Sequence, residues 1–392
     1  MTPPARTQAA IELLDLIIAA AREGGAAADT LIARYFATRR YAGSKDRRAV
    51  RDLVFAAIRL AGEVPVTGRA AMLSLADRDS ALAATFDGTG HGPPPIGADE
   101  PRAGAGAAPV WLVDALGRSG VDAATLVDRA PLDVRVNRLK TSRDAVIGGL
   151  RDAVPTPHAP DGLRLPTGTN VDLPPAYRDG AIEVQDEGSQ IVGMSMDARA
   201  GQRIVDLCAG AGGKTLALAA AMANDGAILA CDVDRGRLSR LAPRAARAGA
   251  TIVETRLLDP NREAAALADW TGQADGVLVD APCSGTGTWR RNPEARWRLT
   301  DARLDRLTDA QAHLLALGAT LVRPGGALVY IVCALLDREG PGQVDAFLTR
   351  HPGWCAEPLV LPCGEARGAG VRLTPATCGT DGFFVARLRR PC

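Results

Sequence analysis

The period of the hydrophobic positions divides the chain into regions of different character. Between residues 6 and 62 apolar side chains recur at helical spacing. Ile11, Leu13, Leu14, Leu16, Ile17 and Ile18 form one stretch, and Leu31, Ile32, Tyr35 and Phe36 a second. Val50, Leu53, Val54, Ala57 and Ile58 form a third, at i, i+3, i+4. These stretches predict amphipathic helices. Over 86–109 the period is lost among Gly, Pro and Ala, including His91-Gly-Pro-Pro-Pro95, which predicts a loop or linker. Over 133–191 short β-like runs flank one predicted helix at 143–153, the pattern of a small α/β module. From Gly201 onward the pattern alternates. Strands are expected over 203–207, 227–231, 277–280, 328–333 and 383–388, and helices over 214–222, 235–248 and 304–321. Such alternation builds an open, doubly wound sheet whose ligands bind at the carboxyl ends of the strands.

With 392 residues and 47% hydrophobic content the chain can fill more than one core, and an aromatic share of 4% leaves that task to Ala, Leu and Val. A net charge of +1 excludes a chain-wide electropositive field, so a polyanionic partner has to meet a local patch. One candidate surrounds the turn after Arg40. There Arg34, Arg39, Arg40, Lys45, Arg47, Arg48 and Arg51 are opposed locally only by Asp46 and Asp52. The cluster reads equally as a phosphate-binding patch and as a solvated helix face. Lys45, Lys140 and Lys214 are the only lysines. The eight cysteines include no C-x-x-C pair and only four histidines accompany them, so no metal site is expected. Met1 to Ala10 has no apolar core and no apolar run reaches membrane-spanning length, so a soluble, cytoplasmic protein is expected.

The segment Asp206-Leu-Cys-Ala-Gly-Ala-Gly-Gly-Lys-Thr215 joins the first expected strand to its helix. Two nucleotide motifs come close and fail. A phosphate-binding P-loop needs glycine where Cys208 stands, and a dinucleotide fingerprint from Gly210 needs Gly or Ala where Thr215 stands. What survives is a glycine-rich turn against a helix N-terminus. The next strand ends in Cys231-Asp-Val-Asp234, an acid at the spacing that suits ribose hydroxyls. A ribose without a phosphate cradle implies a nucleoside ligand, and S-adenosylmethionine fits that description. Its amino group needs a carboxylate such as Asp206 or Asp280.

Two cysteines stand at the ends of two expected strands. Asp280-Ala-Pro-Cys283 follows one, and Tyr330-Ile-Val-Cys333 closes the other. A lone cysteine there is usually a small core residue. Two suggest a reaction on a pyrimidine. A thiolate adding to carbon 6 of cytosine makes carbon 5 nucleophilic, an acid at N3 stabilises the developing charge, and a base then removes the proton on carbon 5.

These segments resemble the RsmB/Sun (Nop/Sun) family of RNA cytosine-5 methyltransferases. The likeness is carried by Asp206 to Thr215, by Asp280-Ala-Pro-Cys-Ser-Gly-Thr-Gly287 and by Arg290-Arg-Asn-Pro-Glu294. Val134-Arg-Val-Asn137, Gln185-Asp-Glu-Gly-Ser-Gln190 and Asp381-Gly-Phe-Phe384 extend it. The resemblance implies an α/β class I (Rossmann-like) methyltransferase sheet over 196–392. Before it would come an all-α NusB-like RNA-binding domain over 1–85, a loop and helical linker over 86–125, and a small α/β RNA-recognition-like domain over 126–195. Gly43-Ser-Lys-Asp-Arg-Arg48 is the stretch most similar to the NusB-like domain. The resemblance also implies site roles. Cys333 would attack the base and Cys283 would help release product. Asp280 would bridge cofactor and base, and Lys214 would sit near the cytosine. Cys208, Ala209, Gly210, Ala211, Gly212, Gly213 and Lys214 would hold S-adenosylmethionine, with Asp232 on the ribose and Asp259 near the adenine. The expected partner is RNA, ribosomal RNA by the resemblance, and the expected state is a monomer. One departure stands out. Where the family has Thr before the attacking cysteine and Ser after it, this chain has Val332 and Ala334. That motivates an alternative, an RNA-binding or assembly protein that keeps the fold with weak or no turnover.

Overall fold

The computed structural model describes residues 1–171 and 174–392, and the chain falls into two compact units. One comprises Met1–Arg129 and Thr288–Asp301, the other Ala130–Gly287 and Ala302–Cys392.

The second unit holds two sheets. The smaller consists of β1 (Leu132–Val136), β2 (Val154–Pro155), β3 (Gly162–Leu165) and β4 (Ile182–Val184), antiparallel in the order β2-β3-β1-β4. The larger begins with β5 (Arg203–Asp206), β6 (Ala227–Asp232), β7 (Val253–Leu257), β8 (Ala274–Asp280) and β9 (Val322–Val332). These five run parallel in the order β7-β6-β5-β8-β9. Beyond β9 lie β13 (Phe383–Arg389), β12 (Gly370–Leu373) and β11 (Glu365–Arg367), all antiparallel to their neighbours, and β10 (Cys355–Glu357) pairs with β13. This is an open, Rossmann-like sheet with an antiparallel extension.

Its central strands read as continuous apolar runs because both faces are covered, while β7, Val253-Glu-Thr-Arg-Leu257, is polar and partly exposed. Val205, Leu229, Val277, Val279, Tyr330 and Val332 enter one buried cluster, while Ile204, Ile228, Leu278, Val329 and Ile331 enter another. The chain leaves β5 toward β6 on one side and returns to β8 on the other. The crevice at that reversal is where such sheets bind ligands.

Two expected helices are shorter than their patterns. The stretch 235–248 is broken into Arg235–Leu238 and Leu241–Ala248. Pro243 causes the break, since it has no N–H for the carbonyl of Ser239 and its ring collides there. The stretch 143–153 is helical only over Arg143–Ile147, stopped by Gly148-Gly149.

The first unit is helical: Pro3–Glu23, Ala28–Ala37, Ser44–Leu60 and Gly68–Ala76 bury Leu13, Leu14, Ile17, Val54, Ile58 and Met72 among them. Val110–Arg118 follows after the proline-rich loop. The segment Thr288–Asp301, assigned by sequence to the 196–392 region, belongs to this unit instead. It caps three helices. Glu294 Oε1 accepts the Ala28 N–H at 3.0 Å, at the N-terminus of Ala28–Ala37. Arg296 donates to the carbonyls of Ile58 (2.6 Å) and Ala61 (2.9 Å), at the C-terminus of Ser44–Leu60. Arg298 donates to Gly25 and Ala26 at 2.8 Å, beyond the end of Pro3–Glu23. An acid on an N-terminus and arginines on C-termini match the helix dipoles and fill orphan backbone groups. Arg296 is fully buried, and burial pushes its pKa down to about 10. Trp297 completes the core.

Candidate active site

The turn after β5 runs into the helix Gly213–Ala221, whose N-cap Gly212 has φ +86°. Only glycine fits there, because a Cβ would lie 2.0 Å from Leu241 Cδ1. Gly210 is also left-handed, at φ +55°. At the end of β6, Asp232 Oδ2 accepts the Gly210 N–H (2.7 Å) and Oδ1 accepts that of Asp234 (2.8 Å). The acid at the ribose spacing is thereby tied to the glycine turn at Gly210, and the Ala209 N–H donates to the carbonyl of Cys231, the residue before Asp232, at 2.8 Å; Cys208, Ala211 and Gly213 lie in the same turn. Asp259 lies exposed, two residues beyond β7, on the neighbouring strand end. It is the most peripheral of the expected cofactor residues.

Asp206 is the buried acid of the turn. Its Oδ2 accepts Thr215 Oγ1 at 2.6 Å, and its Oδ1 is buried with no hydrogen-bond partner among the described residues. Burial pushes its pKa up to about 7; the Thr215 bond opposes this and the Asp280 charge adds to it. An orphan carboxylate oxygen beside a glycine turn and a helix N-terminus suits a ligand with an ammonium group, a carboxylate and a ribose. These residues therefore fit S-adenosylmethionine.

Lys214 points from the first turn of that helix toward β8. Its Nζ donates to Asp280 Oδ2 at 2.7 Å and to Ser189 Oγ at 3.3 Å, with the side chain only 9% exposed. Burial opposes the ammonium, but the Asp280 carboxylate outweighs it and the pKa is raised. The ring centroid of Phe383 lies 5.6 Å away.

The two cysteines meet. Cys283 Sγ and Cys333 Sγ are 3.3 Å apart and both residues are half-buried. The bond to Cys333, then burial, pushes the Cys283 thiol up. The Gly287 N–H donates to the Cys333 carbonyl (3.0 Å), and the Leu335 N–H donates to Thr286 Oγ1 (2.7 Å). Val332 and Ala334 are fully buried, so the missing hydroxyls leave apolar contacts, while Thr286 supplies a hydroxyl to the Cys333 loop.

Ser284 and Thr286 lie in the Asp280–Gly287 motif but had no expected role, and Glu339 was not singled out at all. The Glu339 carboxylate accepts the Ser284 N–H (2.7 Å), Ser284 Oγ (2.5 Å) and Gln311 Nε2 (3.1 Å). Motif residues outside the large sheet hold the small module in place. Asn137 Nδ2 donates to the carbonyls of Gly180 and Ala248 at 2.8 Å, and Arg135 Nε to Gln185 Oε1 at 2.7 Å. Arg244 joins Glu183 (2.8 Å) to the carbonyl of Ala211 in the glycine turn (2.5 Å). Among the described residues no helix is long and apolar enough to cross a membrane.

Residues 193–389, half of the chain, match the family model described as 16S rRNA methyltransferase RsmB/F. The ribosomal RNA small subunit methyltransferase B of Salmonella typhi is 36% identical over 268 residues, 66% of this chain and 60% of that protein. The chain thus spans about 60% of the length of the curated relatives it matches. The crystal structure of PH0851 matches with a TM-score of 0.79 at 25% identity, covering 100% of this chain and 99% of that one. A methyltransferase homolog protein from Pyrococcus horikoshii matches with a TM-score of 0.60 at 26% identity, covering 72% of this chain and 99% of that one.

Proposed function

The chain belongs to the 16S rRNA methyltransferase RsmB/F family, and on that premise we propose that it methylates carbon 5 of a cytosine in ribosomal RNA, with S-adenosylmethionine as donor. The observation that carries this reading is the 3.3 Å approach of the Cys283 and Cys333 sulfurs beside the glycine turn. A methyl transfer to a heteroatom needs no thiol, and two meeting thiols suit a target whose carbon must be activated and then released.

When bound, S-adenosylmethionine supplies a methyl group on a sulfonium. Asp206 would take its ammonium, Asp232 its ribose hydroxyls, and the turn from Cys208 to Lys214 its carboxylate. The chain's own groups do the rest. Cys333, as thiolate, bonds to carbon 6 of the cytosine, and the electron pair of the 5,6 double bond moves to carbon 5. Asp280 and Lys214 flank the ring; a proton or hydrogen bond at N3 withdraws the charge that develops there. After carbon 5 has gained the methyl group, Cys283 gives its own proton up to solvent, since Cys333 is now bonded to carbon 6 and no longer a neighbouring anion, and as thiolate it takes the proton from carbon 5. The 5,6 double bond re-forms as the bond from Cys333 to carbon 6 breaks. Lys214 also brings the positive charge that thiolate formation needs nearby.

RNA would be gripped by the helical unit, where Arg34, Arg40, Lys45, Arg47, Arg48 and Arg51 are exposed. Arg51 is partly neutralised by Asp29 at 2.9 Å, and the others named carry no such ion pair among those described. The experiment is methylation of small-subunit rRNA transcripts by the purified protein, read as 5-methylcytosine by bisulfite sequencing. One or a few cytosines should resist bisulfite conversion after treatment with wild type, and none after treatment with Cys333→Ala. Methyl groups found on nitrogen, oxygen or protein would refute the assignment. RNA binding without any methylation would favour an assembly protein.

A further inference from the structure

Beneath the two thiols lies a buried carboxylate that the methyl-transfer steps do not use. Glu339 is 0% exposed, and its three hydrogen-bond donors are neutral: the Ser284 amide, the Ser284 hydroxyl and the Gln311 amide. The carbonyl of Glu339 in turn accepts the Tyr330 hydroxyl at 2.6 Å. Ser284 directly follows Cys283, while Tyr330 and Glu339 bracket Cys333 along the chain. Glu339 therefore ties the loop of one thiol to the segment of the other. Thr286 and Gly287 continue the same seam through Leu335 and the Cys333 carbonyl.

Burying a carboxylate is unfavourable, and an apolar side chain of similar volume would fill the space more favourably. A role in packing alone does not account for the acid. A role in geometry does, since a carboxylate holding two donors of one residue fixes that residue in distance and orientation. The strand before Cys333 and the residue after it are apolar at Val332 and Ala334, so the register of the two thiols has to be set from elsewhere. Burial raises the pKa of Glu339 while its Ser284 and Gln311 bonds oppose that; after the Cys333 bond and burial, the Glu339 charge also raises the pKa of Cys283, so that the Cys283 thiolate, once formed, is a stronger base.

We infer that Glu339 is a positioning residue for product release: through Ser284 it holds Cys283 where that sulfur, once deprotonated, can reach the proton on carbon 5, while attack by Cys333 proceeds without it. The inference rests on the methyl-transfer reading above. The test compares formation and decay of the protein–RNA adduct in wild type, Cys283→Ala, Glu339→Gln and Ser284→Ala, with S-adenosylmethionine affinity measured by calorimetry. Glu339→Gln should bind S-adenosylmethionine within about twofold of wild type and form adduct within about threefold of its rate, yet release it about tenfold or more slowly, a part of the roughly 10²–10⁴-fold that a well-placed general base supplies. Ser284→Ala removes the hydroxyl donor but keeps the amide donor, so it should slow release about threefold, a smaller loss of the same kind. Release at the wild-type rate in both variants overturns the inference. So does a parallel fall of cofactor binding, adduct formation and release, which marks general loosening. Should Glu339→Gln fail to fold, Ser284→Ala decides by the same criteria. Absence of any adduct in both wild type and Cys283→Ala sinks the methyl-transfer reading itself and takes this inference with it.

Discussion

Replacing Asp206 by Asn separates the cost of a buried acid from its use. The carboxyl sits in the turn after β5 with Oδ1 unpartnered, and burial lifts its pKa from 3.8 to about 7. Such a change is worth about 4 kcal/mol between the two protonation states, taking about 1.4 kcal/mol for each pH unit. Because the folded value is raised, the stability this group contributes is full below about pH 4 and is lost as pH rises toward 7. Asn imitates the protonated acid and does not titrate. Without ligand, Asp206→Asn should match wild type at pH 4 and exceed it at pH 8, by up to about 4 kcal/mol. The cofactor reverses the order. Its ammonium favours the carboxylate, so wild-type affinity for S-adenosylmethionine should strengthen as pH rises through 7. The variant should bind about a hundredfold more weakly at pH 8, the loss of one charge-assisted hydrogen bond of about 3 kcal/mol. Denaturant titrations across pH 4 to 8.5 and calorimetry across pH 5 to 8.5 measure both. Equal pH dependence of wild type and variant, in stability or in affinity, would refute the reasoning.

Three further outcomes follow from geometry. Gly212→Ala forces a left-handed residue and a Cβ 2.0 Å from Leu241 Cδ1. It should cost about 3 kcal/mol and weaken S-adenosylmethionine binding at least about tenfold, by thermal shift and calorimetry. Arg296→Met strips donors from the C-terminus of Ser44–Leu60. It should destabilise the helical unit by about 3 kcal/mol, seen as faster hydrogen exchange in Ser44–Leu60 with β5 and β8 unchanged. The triple change Arg40→Ala, Lys45→Ala and Arg48→Ala should weaken RNA binding. It should also lower the slope of log affinity against log salt by about 2 to 3 in filter binding, with S-adenosylmethionine affinity unaltered.

Most of the sheet was legible in the sequence because β5, β6, β8 and β9 carry apolar runs buried on both faces, and the glycine turn and the two thiols sit at strand ends; β7, Val253-Glu-Thr-Arg-Leu257, is polar and partly exposed at the edge of the parallel strands and was not among the expected strands. Local breakers were harder to weigh. Pro243 and Gly148-Gly149 end helices whose hydrophobic spacing continues past them. Glu339 was illegible for a different reason. It stands in Asp337-Arg338-Glu339-Gly340, which reads as a polar surface turn, and only the approach of the Ser284 loop from 55 positions away makes it a buried acceptor. Thr288–Asp301 follows the Cys283 loop in sequence and reads as active-site chain. Its Arg296 and Trp297 are nevertheless buried against helices more than 230 positions earlier. Buried polar partners of this kind are set by tertiary contact and leave no periodic trace.

The most direct measurement of the two-thiol account is peptide mass spectrometry of Cys283→Ala after incubation with an rRNA transcript and S-adenosylmethionine. A methylated cytidine covalently held on the peptide containing Cys333, and absent from Cys333→Ala, is the result expected. An adduct on any other residue, or full turnover by Cys333→Ala, would contradict the account.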